Sequence, residues 1–524
     1  MAESRNAAVL DKPQFLCILA LAEERLNSMN GDKLNTAQKA LQINLDAKKY
    51  GTFAEIGAGQ EVARWFFHVG GASGTVAKTI SAYDMAVSDA IYGPSDRYVS
   101  RNRLQAMLDY EFGLLLQRLD KTRGDKCTFF VFANTVATHS FTRQTEGSGW
   151  LGIRFQTQPR EQPSEIIIHV RMLDQENVRE QEALGMIGVN LVYAAFYLHD
   201  APEKLIGTLM DGLTRKRLEV DMVKFSGPRF AGVDNRLMSL QLVQQQLSDA
   251  AMFTADGDVV IPSEVLYKKS VLVERGSFRP VTKTTLDILE RAHEQFLKEP
   301  QMKGEEPVII MEMTLHSVLD DVALAHKDFL DRVDLLSTLG KTVLISSFGR
   351  YYRLVEYLSR YTQKMQGIAL GIPSLRGIFD EKFYTDLPGG LLESLGRLFK
   401  GTTKLYVYPY RDPAPGLLAA DANTLQGESG IWFRRSGENQ IVTATNLQVA
   451  PHLRHLYAHL LENGYIASIE NYNPDYLLLF PPFVLSKLQS GDASWENDVP
   501  PEIVEHIKRG KMFGWQEKAA AVTA

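Results

Sequence analysis

From residue 307 to about residue 410, short runs that are apolar throughout alternate with amphipathic stretches. "VIIMEMTL" precedes "DFLDRVDLLSTLGK", "TVLISS" precedes "RYYRLVEYLSRYT", "QGIALGI" precedes "SLRGIFDEKFY" and "GGLLESLGRLF", and "KLYVYPY" closes the series. A strand that is apolar on both faces needs cover on both faces, and a helix of this length is the usual crossover between parallel strands. The alternation therefore predicts an α/β fold, with a mainly parallel sheet flanked by helices in the C-terminal half. The N-terminal half reads as mixed α+β: "KCTFFVFANTVATHSF", "GWLGIRFQTQP" and "SEIIIHVRML" have the β-branched and aromatic content of strands. "IIIHVRMLD" and "RLEVDMVKFSG" each precede a helical pattern, which hints at a weak β-α duplication.

A chain of 524 residues exceeds what one core supports. The expected organisation is a helical and glycine-rich region over 1–150, a mixed α+β domain over 151–300, a doubly wound α/β domain over 301–480 and a C-terminal arm over 481–524. The polar run "KEPQMKGEEP" marks the second of these boundaries. A formal charge of −6 argues against nucleic acid as a partner, since dedicated binders carry a basic excess. Cys17 and Cys127 are the only cysteines. They cannot build a disulfide framework or a four-cysteine zinc site, and their scarcity suits a reducing cytoplasm. The apolar run from Phe15 to Ala22 is too short to span a bilayer, so no membrane association is expected and the location read from the sequence is cytoplasmic.

"YGTFAEIGAGQEVARWFF" carries Gly57 and Gly59 between a short apolar run and a helical pattern. A dinucleotide fingerprint needs a third glycine for helix–strand packing, and that place holds Val62. The pattern predicts a glycine turn before a helix N-terminus, where free backbone N–H groups can hold an anion. The following "GGASGTVAKT" has Ala77 where a phosphate loop places glycine before its lysine. Ser73, Lys78 and Thr79 nonetheless form a phosphate cradle if the fold brings them together. His139, His169 and His199 stand beside apolar runs and read as hydrogen-bonded structural residues. His452, His455 and His459 lie on one helix without the glutamate that a zinc-peptidase motif requires, so no metal site is expected.

Open α/β sheets bind ligands outside the carboxyl ends of their strands. Those ends place Glu312, Thr314 and His316 after the first predicted C-terminal strand, and Ser346, Ser347 and Arg350 after the second. Gly371 to Ser374 follow the third, and Tyr410 and Arg411 the last. Arginine is suited to bidentate phosphate binding, and Glu312 or His316 to acid–base work.

The pair "VIIMEMTL…TVLISSF" resembles the first two motifs of haloacid dehalogenase-like phosphatases. That family ends its first strand in Asp-x-Asp-x-Thr, whereas Met311 and Met313 occupy the aspartate places here, which removes the nucleophile and the magnesium ligand. Taken whole, "FAEIGAGQEVARWFFHVGGASGTVAKTISAYDMAVSDAIYG", "FSGPRFAGVDNRLMSLQLV", "PSEVLYKKSVLVERGSFRP" and "GGLLESLGRLFKGTTKLYVYP" resemble a bacterial protein family of unassigned function, over nearly the full length. Its members carry labels such as nicotinate-nucleotide adenylyltransferase and TonB-dependent receptor, and the residues support neither. The His-x-Gly-His and Ile-Ser-x-Thr-x-x-Arg signatures of the adenylyltransferases are missing from this sequence. A receptor barrel would show many alternating strands.

Two functions follow from these residues. One is an enzyme of transferase or hydrolase type acting on a phosphorylated or nucleotide-like small molecule, with Glu312 and His316 as acid and base. Its phosphate would lie among Gly57, Gly59, Ser73, Lys78, Thr79, Ser346, Ser347, Arg350 and Arg411. The other is a non-catalytic, self-associating assembly protein whose phosphatase-like sheet is degenerate. No residue pattern names a cofactor.

Overall fold

The computed structural model describes residues 33–139, 146–315, 322–411 and 441–516. The chain divides into two compact units, Met1–Val233 and Asp234–Ala524. The expected boundary at 150 falls inside a strand, Gly147–Phe155, and the polar run near residue 300 connects a helix to a strand within the second unit. Both units are α/β.

In the first unit six strands form one sheet: Lys49–Ile56 (β1), Val76–Ile80 (β2), Thr128–Ala137 (β3), Gly147–Phe155 (β4), Ser164–Met172 (β5) and Leu218–Ser226 (β6). Their order is β2-β1-β3-β4-β5-β6. The pairings of β1 with β2 and β3 are parallel, and β3 to β6 run antiparallel. The sheet is mixed, as the α+β reading expects. The suggested β-α duplication is not realised as such, because β5 and β6 pair antiparallel and the helix after β6 belongs to the other unit.

Among the described residues six helices accompany this sheet: Thr36–Asn44 (α1), Glu61–His68 (α2), Met85–Tyr92 (α3), Arg101–Arg123 (α4), Asn177–Tyr197 (α5) and Pro202–Thr208 (α6). α4 lies against β1, β3 and β4. It presses Leu104 and Leu108 onto Gly152, where an added Cβ would meet both at 3.1 Å. The α5 helix buries Leu184, Ile187 and Leu191 and packs against α2. Glycine permits that approach: a Cβ on Gly188 would sit 2.2 Å from Val62.

The second unit holds an eight-stranded sheet. Ala250–Phe253 (β7) and Val259–Val260 (β8) form one edge, followed in the chain by Val271–Arg275 (β9), Val308–Thr314 (β10), Thr342–Ser346 (β11), Gln366–Gly371 (β12) and Thr403–Tyr408 (β13). Tyr410–Arg411 (β14) and Ile441–Val442 (β15) pair separately as a short ribbon, and Ile466–Ser468 (β16) completes the sheet. The order is β16-β13-β12-β9-β10-β11-β7-β8. The six strands from β16 to β11 are parallel, and the pairings of β7 with β11 and of β8 with β7 are antiparallel.

Its helices are Asn235–Gln244 (α7), Lys283–Phe296 (α8), Val322–Thr338 (α9), Tyr351–Ser359 (α10), Ile372–Ile378 (α11), Gly390–Leu398 (α12), Arg454–Glu462 (α13), Pro481–Ser490 (α14) and Pro501–Gly510 (α15). Side chains alternate across a strand, so Val273, Ile310, Leu344 and Ile368 share one face. They pack with Leu354 and Leu358 of α10, Leu375 of α11, Leu395 of α12 and Leu460 of α13. Gly367 and Phe253 look to the other face, where Phe296 of α8 and Phe329 of α9 meet them. With both faces covered, the strands are apolar throughout, as their sequences foretell. The expected C-terminal arm is structured: α15 packs on α9 and buries Ile503 and Ile507, and Trp495 is buried before it.

Among the described residues no helix is long and apolar enough to cross a membrane.

Candidate functional site

The chain runs from β9 to β10 and β11 on one side, then returns to the other side of β9 to lay down β12, β13 and β16. Crossovers leaving β9 and β12 in opposite directions cannot both cover the space above their carboxyl ends. Such a point of reversal is where doubly wound sheets take ligands.

Arg275 ends β9 and stands opposite Glu312 of β10. Its Nε and Nη2 donate to the two carboxylate oxygens of Glu312 at 2.5 and 3.1 Å. Ser346, at the end of β11, donates to the same carboxylate at 2.5 Å, while its Oγ accepts from the Phe348 N–H at 3.2 Å. The Tyr351 ring, at the start of α10, lies 4.5 Å from the Arg275 guanidinium, and its hydroxyl makes a hydrogen-bonding contact with Ser374 of α11. Burial, before any other cause, raises that hydroxyl above the ordinary tyrosine range. Ser346, Glu312, Arg275, Tyr351 and Ser374 thus form one connected arch over the ends of β11, β10, β9 and β12.

The arch assigns Glu312 a different place from the one its sequence position implied. It is fully enclosed, with three donors on its two oxygens, and it anchors Arg275. An acid or base must reach its substrate, and this carboxylate faces only its own partners. Next to Arg275, on the opposite face of the sheet, Glu274 is 5% exposed, and among the described residues its Oε2 has no hydrogen-bond partner. Burial pushes its carboxyl well above the usual range, against a weaker pull from Lys341. The loop after β9 is fixed from below: Arg332 of α9 donates to the Ser277 carbonyl at 3.3 Å and pairs with Asp328, which also takes Arg279 at 2.6 Å.

The remaining C-terminal candidates do not join the arch. Ser347 turns to the β7 edge and bonds the Asp249 carbonyl at 3.2 Å. Arg350 stacks on Phe383 at 4.2 Å and donates to its carbonyl at 3.2 Å. Arg411 lies in the separate ribbon, with its Nε buried and without a hydrogen-bond partner among the described residues. His316 lies outside the described residues.

In the first unit Gly57 and Gly59 form the predicted turn, with φ of +106° and +86°. A Cβ on Gly57 would fall 1.8 Å from the Val136 carbonyl oxygen, so only glycine fits. The free N–H groups of α2 are occupied, but by the chain itself. Glu55, wholly buried on β1, accepts from the Val62 and Ala63 N–H groups at 3.2 and 2.9 Å and from Asn134 Nδ2 at 3.0 Å. Desolvation is the first cause that raises its carboxyl to about 7, and those three donors pull against it. The predicted phosphate cradle is split. Thr79 bonds Gln60 beside α2, Lys78 points away to pair with the buried Glu111 of α4, and Ser73 is exposed in a single turn, Ala72–Gly74.

Of the histidines, His169 Nδ1 lies 2.6 Å from Asp221 with both side chains buried, His199 contacts the Ala195 carbonyl at 3.1 Å, and the His139 N–H donates to Glu180 at 2.7 Å. Among the described residues no group of three or more His, Cys, Asp or Glu side chains is placed to hold a metal ion.

Sequence reading missed β9, and with it Arg275 and Glu274. The signal was the run "SVLVERG", apolar and β-branched between a lysine pair and a glycine, lying before the polar stretch read as a boundary.

No protein-family model matches the chain, and no curated protein matches it. Among solved structures, the competence/damage inducible protein CihA from Agrobacterium tumefaciens is 16% identical, with 31% of this chain and 98% of that chain covered at a TM-score of 0.23. A competence-damaged protein (CinA) superfamily protein from Enterobacter cloacae is 12% identical, with 31% and 94% covered at a TM-score of 0.23. Likeness at that level carries no argument about fold or function.

Proposed function

We propose that the chain is an enzyme, of transferase or hydrolase type, acting on a phosphorylated or nucleotide-like small molecule in the crevice between β9 and β12. The observation that carries this reading is the reversal of strand order at β9, with a charged arginine fixed at that point. Glu312 spends two nitrogens of Arg275 on orientation, which leaves Nη1 as the donor for an anionic group. The backbone of the loop after β9 and the Ser374 hydroxyl supply further polar contacts. The scarcity of cysteine supports a cytoplasmic setting.

The test is a thermal-shift screen with nucleotides, sugar phosphates and nicotinamide compounds, followed by hydrogen exchange on any ligand that raises Tm. Protection is expected at residues 276–281 and 371–374. A screen without a hit, or protection absent from both loops, removes the proposal.

Self-association is the second reading, and a specific surface favours it. Tyr83, Met85 and Val87, at and before the start of α3, are 75%, 62% and 50% exposed. Apolar residues clustered on a surface are the usual mark of an interface. Light scattering of the full chain should then show an oligomer that Val87→Glu dissociates; a monomer in both samples rejects it.

A further inference from the structure

Lys78 is left over from the split cradle, and it lines a cavity of about 200 Å3 between β1, β2 and α4. The back of this cavity is a built polar cluster. Glu111, wholly buried, is held by the Lys78 ammonium and by the Tyr92 hydroxyl at 2.9 Å. One wall is the Tyr50 ring, whose face is covered by the Arg123 guanidinium at 4.2 Å. The apolar part of the lining is made by Leu114, Leu115 and Leu119 of α4. Arg118 stands at the mouth, exposed and without an ion pair among the described residues.

Charge and size together select the occupant. Lys78 and Glu111 neutralise one another, so Arg118, with Arg123 behind Tyr50, gives the cavity a net positive character. An apolar cavity of about 150 Å3 accommodates benzene, so this one holds a single ring with one small substituent and excludes a whole nucleotide. We infer that the first unit binds a single-ring aromatic carboxylate, with its ring between Tyr50 and the leucines and its carboxylate on Arg118. This site belongs to residues 50–119 and is independent of the crevice at β9 and β12.

Benzoate is the probe, titrated into the full chain by calorimetry with inorganic phosphate as the second arm. The expected result is saturable benzoate binding, slower hydrogen exchange over 76–80 and 111–119, and little response to phosphate. Arg118→Glu, at an exposed position that folding tolerates, should weaken benzoate at least tenfold with Tm unchanged. Absence of saturable binding overturns the site. Benzoate affinity that survives Arg118→Glu, or phosphate binding as tightly as benzoate, overturns the assigned ligand class.

Discussion

Glu55 sits where burial and hydrogen bonding act in opposite directions, and the balance sets how the protein responds to pH. Its carboxyl titrates near 7 when folded, raised from the ordinary 4.5. Between those values the unfolded chain has lost the proton that the folded chain keeps, so stability falls as pH rises through the window and levels off above it. The span corresponds to about 3 kcal/mol. Glu55→Gln cannot ionise, so unfolding by urea at pH 4.5, 5.5 and 7.5 should show a shallower decline than in the parent. Equal slopes in the two proteins would refute the assignment. Gly57 makes a sharper case, because Ala there meets both a left-handed φ and the Val136 carbonyl. Each of those penalties costs about 1–3 kcal/mol, so Gly57→Ala should lower stability by about 3 kcal/mol or more in the same assay. Gly59→Ala, with only Glu61 at 3.8 Å from its Cβ, should cost about 1 kcal/mol. Comparable losses at the two glycines would show that the close contact at Gly57 is not what forbids a side chain.

At the scale of elements, the ion pair that ties β9 to β10 controls the rim. Removing Glu312 leaves Arg275 charged and nearly enclosed, with side-chain exposure of 11%. Breaking such a pair from one side costs about 3–5 kcal/mol, whereas replacing both partners by apolar residues is far milder. Glu312→Leu alone should therefore destabilise more than the double variant Arg275→Leu, Glu312→Leu, as read from denaturant midpoints. A double variant that is worse than the single one would mean that Arg275 does not depend on Glu312. A second element-level test lies at α8, where Thr282 and Thr285 form a reciprocal capping box inside the core. Thr282→Ala should cost about 1–2 kcal/mol. The ladder β10 to β13 was legible because each strand is an apolar run followed by a helix-period pattern. β9 was not, because only Val271, Leu272 and Val273 of its five residues are apolar, too short a run for periodicity to classify, and the polar stretch after its helix imitates a domain boundary. The site was half legible for the same reason. Glu312 and Ser346 are at strand ends that the pattern exposes, but their partner Arg275 is on the strand that it hides.

At the scale of the whole molecule, the chain divides into two compact units, and the two proposed sites fall one in each. The sequence reading gathered glycine-turn and strand-end residues around one ligand; in the structure Glu55 accepts from the helix N-terminus in the first unit, and the arch around Arg275 belongs to the second. No periodicity could have revealed the first fact, since a carboxylate reaching forward to its own strand's helix leaves only a lone glutamate in the sequence. The separation has a measurable consequence. A ligand that binds one native unit stabilises that unit by RT ln(1 + [L]/Kd), about 2.7 kcal/mol at one hundred times Kd. A phosphorylated ligand of the crevice should slow exchange of the most protected amides within 234–516 by about a hundredfold, while those of 33–233 keep the rates of the ligand-free chain. Benzoate should produce the reverse pattern. If either ligand protected the two segments to the same extent, their stabilities would be coupled, and each site would report on the fold of the entire chain instead of its own sheet.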